Sequence, residues 1–205
     1  MKPHMSIKEL KEFSSRIIKS KEYFEYGLGG STLYAFDFSD AKISGVDTSK
    51  EWTKDVSTEI EKSLMYDLIN DKTRKINNDI RADLRHIDLG PVGKWGRVKN
   101  WKKDDQQKFY KYSKSIFDFE TNPDLIFIDG RWRVACAAQA VLFSLDKNIS
   151  PIIMLHDAER KQYAPVWDIL EPIKRVDRLQ LFKLKKENDI SQIEKIYEEH
   201  LREDD

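Results

Sequence analysis

The sequence has a single cysteine, no long apolar run and no excess of charge of either sign. One cysteine excludes an internal disulfide, and Cys136 lies in an apolar run at residues 134–138, which is typical of a packed core thiol. No apolar run approaches the roughly 18 residues that span a bilayer. Residues 1–5 lack the apolar segment of a signal peptide. We therefore expect a cytoplasmic protein with no membrane partner.

The charge balance bears on a second class of partner. Lys+Arg and Asp+Glu number 36 each, so the formal net charge is zero. A general nucleic-acid binder carries a basic excess, because it must neutralise phosphates. The composition therefore predicts that nucleic acid is not a partner, and it gives no indication of the oligomeric state.

The length favours one domain with a core of ordinary size. We expect a single α/β domain over residues 1–205, with an N-terminal helix within residues 1–20 and a core over residues 21–185. A charged helix over residues 186–205 has an apolar stripe on one face, and we expect it to dock only loosely.

The chain is organised around a glycine cluster. An apolar run at residues 23–26 leads into Gly27 and Gly29, and a helix-like stretch follows. Such a strand, tight turn and helix let backbone approach an anionic ligand at a helix N-terminus. A dinucleotide fingerprint would need a third glycine where Thr32 stands. The alternatives are an ordinary tight turn and a nucleotide-type cofactor site in which Glu25 precedes the glycines.

Polar side chains follow each of five predicted strands. They are Glu25, Asp47, Asp88, Asp129 and the pair His156-Asp157. Ligands of open α/β sheets bind beyond the carboxyl ends of the strands. The predicted strands alternate with helices, and residues 173–185 suit a β-hairpin. We predict a doubly wound, mostly parallel, Rossmann-like α/β sheet with a hairpin at one edge.

These motifs resemble the class I methyltransferases that depend on S-adenosylmethionine (SAM), and most closely their small-molecule or sugar O-methyltransferase-like branch. The resemblance is carried by Glu25-x-Gly27-x-Gly29, Ser31, Asp47, Asp88, Ile128-Asp129-Gly130 and Leu155-His156-Asp157. It implies a methyltransferase with SAM as cofactor and a small, polar or sugar-like acceptor. A catalytically silent SAM-binding domain and a nicotinamide-dependent oxidoreductase are the alternatives.

The resemblance also implies roles for individual residues. The methionine part of SAM would be bordered by Glu25, Gly27, Gly29 and Ser31. Asp47 would bind the ribose hydroxyls, and Asp88 would lie near the adenine amino group. Asp129 would lie beside the sulfonium and the acceptor. For the acceptor proton, we expect His156 to act as a general base, oriented by Asp157 or Asp129. A divalent metal on these three residues is the alternative, which we do not favour.

The acceptor site is predicted after the third strand and after the fourth. Residues 90–103 are a candidate lid, in which Trp95 would stack on the acceptor or, as the alternative, pack onto the edge of the sheet. Arg131 and Arg133 follow Asp129 and suit a carboxylate or phosphate on the acceptor. Their alternative role is pairing with acids such as Asp157.

Overall fold

The computed structural model describes residues 1–69, 81–99 and 106–201. The elements run in the order α1 (Ile7–Ile17), β1 (Glu22–Tyr26), α2 (Gly30–Phe38), β2 (Lys42–Asp47), α3 (Lys50–Ile69), β3 (Ala82–His86), α4 (Gln106–Ser113), β4 (Leu125–Ile128), α5 (Arg133–Asp146), β5 (Ile152–Leu155), α6 (Val166–Ile169), β6 (Leu170–Val176), β7 (Leu179–Leu184) and α7 (Ile190–His200). The turn predicted within residues 71–79 lies outside the described residues.

One seven-stranded sheet has the order β3-β2-β1-β4-β5-β7-β6. Strands β1 to β5 are parallel, and β7 runs antiparallel to both β5 and β6. The predicted doubly wound, mostly parallel sheet with a hairpin at one edge is confirmed. The continuous apolar run of β4 follows from its central place, because both of its faces are buried. Strand β1 is equally central, and it contains the buried Glu25.

Helices cover both faces of the sheet and build two apolar clusters. One cluster lies under α1, α2 and α3, and the other under α4, α5, α6 and α7. Among the described residues, no helix combines the length and the apolar character that crossing a membrane requires.

The C-terminal helix is packed more tightly than its sequence indicates. Ile193, Ile196, Tyr197 and Leu201 are all buried. The Tyr197 hydroxyl lies 3.0 Å from the Ser113 hydroxyl. The prediction of loose docking is wrong, because one apolar stripe on α7 is enough to cover α5 even when the other faces are charged.

Candidate active site

The glycine turn after β1 lies at the centre of the carboxyl edge of the sheet. Gly27 has a φ of 93°, and a Cβ there would lie 2.5 Å from the backbone N and Cα of Gly130. Gly27 therefore lets the turns after β1 and β4 touch. At Gly29, the nearest described atoms to an added Cβ belong to the Trp52 indole, at 3.8 Å or more. Packing thus explains Gly27 and leaves space beside Gly29.

Glu25 is directed away from that space. It is fully buried, and the hydroxyls of Ser31 and Thr32 both donate to its carboxylate. Thr32 also accepts from the Gly29 N–H at 2.9 Å, so these residues fix the turn to the start of α2. Burial raises the pKa of Glu25 to about 8. We therefore revise the prediction that Glu25 and Ser31 border a cofactor: their side chains pair with each other and shape the turn.

Asp47, at the end of β2, lies against the glycine turn as predicted. Its Oδ2 accepts from the Leu28 N–H at 3.1 Å, and its Oδ1 accepts from the Ser49 N–H at 2.8 Å. Burial raises the pKa of Asp47 to about 6. A carboxylate offers about four acceptor positions, so these two bonds leave capacity for a ligand.

Asp88 has a different environment from the other strand-end acids. Its side chain is exposed, and its Oδ1 accepts from the Gly90 N–H two residues later, at 2.9 Å. This is the Asx-turn geometry that Asp commonly adopts before a glycine. The structure thus gives Asp88 a turn-forming role, and contact with an adenine ring stays a prediction.

The turns after β4 and β5 bring Asp129, His156 and Asp157 together. His156 Nδ1 lies 3.1 Å from Asp129 Oδ1 and 3.8 Å from Asp157 Oδ1. Burial alone would lower the pKa of His156, but the two carboxylates outweigh it and the pKa is raised. Burial would likewise raise the pKa of Asp129, but Arg133 and His156 outweigh it and the pKa is lowered. Asp129 therefore stays ionised, with 27% of its side chain exposed.

Sequence reasoning missed Glu9, which closes this cluster from the N-terminal helix. Glu9 is fully buried, and its Oε2 lies 3.6 Å from His156 Nε2. Among the described residues that nitrogen has no hydrogen-bond partner, and the His156 side chain is only 2% exposed. The prediction that His156 takes the acceptor proton directly is therefore corrected, because the ring is enclosed between two acids and positions Asp129.

Arg133 holds the ends of β4 and β5 together. It donates to the backbone oxygens of Gly130 at 2.9 Å and His156 at 2.7 Å, and its guanidinium lies 3.1 Å from Asp129 and 3.3 Å from Asp157. The prediction that Arg133 binds the acceptor is wrong, because buried acids and carbonyls already surround its donors. The alternative role, pairing with Asp157, is the one observed.

Asp157 and its neighbours also bear on the metal alternative. Asp129, His156 and Asp157 could present three ligand atoms within 4.8 Å of one another. Arg160 donates to Asp157 at 2.6 Å and Arg178 donates to it at 2.9 Å, in addition to Arg133. Three guanidinium groups already neutralise this carboxylate, so the electrostatics disfavour a divalent cation beside it.

Residues 91–99, which we name the Trp95 turn, form one border of the site. Val92 and Val98 pair in an antiparallel bridge, and the Thr48 hydroxyl donates to the Gly96 oxygen at 2.9 Å. A Cβ at Gly96 would lie 3.9 Å from Cγ of Arg131, which is itself buried. The Trp95 turn therefore lies across the ends of β2 and β4. The remainder of the predicted lid, residues 100–103, lies outside the described residues.

Residues 1–5, the N-terminal segment, form a second border. A Cβ at Gly30 would overlap the backbone of Lys2 and Pro3, so the segment lies directly on the start of α2. The exposed His4 ring lies 6.3 Å from the Trp95 ring, measured between centroids. The space beside Gly29 is thus bordered by Asp47, Asp129, the Trp95 turn and the N-terminal segment.

No protein-family model matches the sequence, and no curated protein matches it. Solved structures do match. A methyltransferase-like protein from Silicibacter pomeroyi is 20% identical, with a TM-score of 0.76 over 98% of this chain and 96% of that chain. A methyltransferase from Podospora anserina with bound S-adenosylhomocysteine (SAH) is 17% identical, with a TM-score of 0.50 over 89% of this chain and 80% of that chain.

A further match is an RNA methyltransferase from Salinibacter ruber in complex with SAH, which is 10% identical, with a TM-score of 0.45 over 90% of this chain and 99% of that chain. The prediction that nucleic acid is not a partner is corrected on physical grounds, since net charge averages over the whole chain, whereas residues 91–99 carry three exposed cations and no acid. At these identities the likeness concerns architecture, and the chain has the Rossmann-like α/β fold of the class I SAM-dependent methyltransferases.

Proposed function

We propose that the protein is a SAM-dependent methyltransferase that acts on an oxygen of a polar, sugar-like acceptor. The observation that carries the proposal is the glycine turn after β1, where a Cβ at Gly29 would make only ordinary contact with Trp52, with the Asp47 carboxylate bonded to the Leu28 N–H and the partly exposed Asp129 carboxylate at the end of β4. The likeness of the whole chain to a methyltransferase-like protein supports it.

The residues around this turn fit the chemistry of SAM. Asp47 retains acceptor capacity beside the Leu28 N–H and would hold the ribose hydroxyls. Gly29 places no side chain in the space where the cofactor would lie. When bound, SAM supplies an activated methyl group on a sulfonium.

The chain then has to align an acceptor hydroxyl and remove its proton. Asp129 is the ionised group that faces the opening, and it would orient the hydroxyl and accept its proton as the new oxygen–methyl bond forms and the sulfur–methyl bond breaks. His156 and Arg133 fix the Asp129 carboxylate at 3.1 Å each. Their role is to position it.

The test is calorimetry and thermal shift with SAM, SAH and NAD. We expect SAM and SAH to bind and to raise the melting temperature, since a ligand of the folded state stabilises it. Asp47→Ala should weaken binding by about 1.5–3 kcal/mol, because it removes a charged hydrogen-bond partner. Asp40→Ala is the matched control, because Asp40 is an exposed aspartate in the loop between α2 and β2. Absence of a shift with SAM and SAH at millimolar concentration would sink the proposal, and a shift with NAD alone would favour the oxidoreductase.

A further inference from the structure

Trp95 is displayed to solvent in a strained backbone conformation. Its side chain is 72% exposed, more than any other aromatic side chain among the described residues. Its φ of 62° and ψ of 30° place a bulky residue in the left-handed region. Such a conformation costs on the order of 1–3 kcal/mol and persists only where the surroundings enforce it. An exposed indole gains little from burial, so burial of the side chain does not offset this cost.

Hydrogen bonds on both sides enforce the position of Trp95. The Gly93 N–H donates to the Arg97 oxygen at 2.7 Å, and the Lys99 N–H donates to the Pro91 oxygen at 2.8 Å. The Thr48 hydroxyl ties the turn to the residue that follows Asp47. The backbone that carries the indole is therefore held at a fixed place beside the residue that follows Asp47.

The same turn carries a local excess of positive charge. Lys94, Arg97 and Lys99 are all exposed, and residues 91–99 include no acid. The Lys94 ammonium lies 5.6 Å from the centre of the Trp95 ring. A chain with zero net charge thus has three exposed cations within nine residues that also include one exposed aromatic ring. Aromatic stacking surfaces combined with cations that follow a backbone are the means by which proteins hold single-stranded nucleic acid.

We infer that the acceptor carries a nucleobase that stacks on Trp95 and a phosphate that meets the cations of the Trp95 turn. This inference rests on the proposed function and specifies its acceptor, since the ribose of a nucleotide provides the sugar hydroxyl. A free nucleotide and a single-stranded RNA share this chemistry.

Two binding measurements distinguish a free nucleotide from a single-stranded RNA as the ligand. The first is fluorescence anisotropy with a labelled, mixed-sequence single-stranded RNA of about ten nucleotides. The second is competition of this RNA with nucleoside monophosphates. Trp95→Ala should weaken binding roughly 5- to 150-fold, the range for loss of one stacked base, and Trp95→Phe should restore most of it. Lys94→Ala should make the dependence on salt weaker: the negative slope of the logarithm of the association constant against the logarithm of the salt concentration should become less steep by about 0.7. Competition by monophosphates at concentrations comparable to the RNA identifies a free nucleotide as the ligand, and its absence identifies the strand.

Two controls carry the same kinds of side chain at the opposite edge of the sheet. Phe38, at the end of α2, is 59% exposed, and Lys147 is exposed after α5. Phe38→Ala and Lys147→Ala should bind as the wild type does. Equal binding by Trp95→Ala and Phe38→Ala, or no binding of either probe by the wild type, would overturn the inference.

Calorimetry with SAM on the same proteins distinguishes a failure of the proposed acceptor class from a failure of the proposed function. SAM binding that is retained in Trp95→Ala while RNA or nucleotide binding is lost supports both the function and the acceptor class. SAM binding without Trp95-dependent RNA or nucleotide binding overturns the acceptor class alone. Trp95-dependent binding without SAM binding by the wild type overturns the methyltransferase proposal, and with it the acceptor role of the bound nucleotide.

Discussion

The carboxylates at the edge of the sheet differ in their surroundings, and this sets what each can do. Glu25 is enclosed by two hydroxyls, Asp47 is bonded to two backbone N–H groups, and Asp129 lies beside an arginine and a histidine. Burial therefore raises the pKa of Glu25 and of Asp47, while cations lower the pKa of Asp129. Of the three, only Asp129 is paired with positive charge, which stabilises its ionised form.

Glu25→Gln tests, through the free energy of unfolding, whether Glu25 is protonated in the folded state. The pKa of Glu25 is raised to about 8 from 4.5, so over this interval the folded state holds a proton that the unfolded state has lost. The wild type should lose up to roughly 1.4 kcal/mol of unfolding free energy per pH unit there, a loss that Glu25→Gln lacks. Urea unfolding at pH 5, 6.5 and 8 should show that the free energy of unfolding of Glu25→Gln rises relative to that of the wild type as the pH increases. Glu61→Gln, at an exposed position, is the control. A constant difference would mean that Glu25 is ionised in the fold.

The polar residues after β4 and β5 could be predicted from the sequence because Asp129 and His156 directly follow apolar runs. The roles of His156 and Arg133 could not be predicted in the same way. His156 is enclosed by Glu9, which is distant in the sequence and marked there only by its capping box with Ser6. A local pattern shows which residues end a strand, but it does not show which side chain of another element buries them.

At the scale of elements, the turn between β1 and α2 contains two glycines, Gly27 and Gly29, whose backbone conformations and surroundings differ. A Cβ at Gly27 would overlap the turn after β4, and the φ of 93° is strained for any other residue. Gly29 has an extended φ of 171°, which any residue can adopt. The same sequence motif therefore serves packing at Gly27, and the proposed function assigns ligand access to Gly29.

Alanine substitutions should separate these purposes. Gly27→Ala should lower the unfolding free energy by about 2 kcal/mol or more, because strain and overlap add. Gly29→Ala should change it by no more than about 0.5 kcal/mol, yet weaken SAM binding at least about tenfold, which is 1.4 kcal/mol. Chemical unfolding and calorimetry measure the two effects. Full SAM binding by Gly29→Ala would show that the cofactor does not lie beside Gly29.

At the scale of the whole molecule, contacts distant in sequence complete the site. The hairpin of β6 and β7 brings Arg178 beside Asp157, and α1 brings Glu9 to Arg178 and His156. The fold class was predictable because apolar runs alternate with helical patterns. The closure of the site by α1 was not, since the position of a first helix depends on a hairpin more than 150 residues later.

Glu9 tests how far this closure stabilises the fold. Burial would raise the pKa of Glu9, but the N–H groups of Ser6 and Arg178 and the charges of His156 and Arg178 outweigh it, and the pKa is lowered. Its stabilising effect is therefore present above pH 4.5 and is lost as the pH falls through the lowered value. Glu9→Gln should reduce the unfolding free energy by about 1.5–3 kcal/mol at pH 7, because the buried side chain loses the charge that strengthens its hydrogen bonds from the Ser6 and Arg178 N–H groups.

Urea unfolding at pH 7 and at pH 3.5 measures this effect, with Lys8→Ala as control because Lys8 is an exposed residue of the same helix. The difference between the wild type and Glu9→Gln should shrink at the lower pH, since protonation makes the wild-type side chain neutral as well. The Lys8→Ala difference should stay small at both values. A Glu9→Gln effect of the same size at pH 7 and pH 3.5 would show that shape, and not charge, holds α1 against the site.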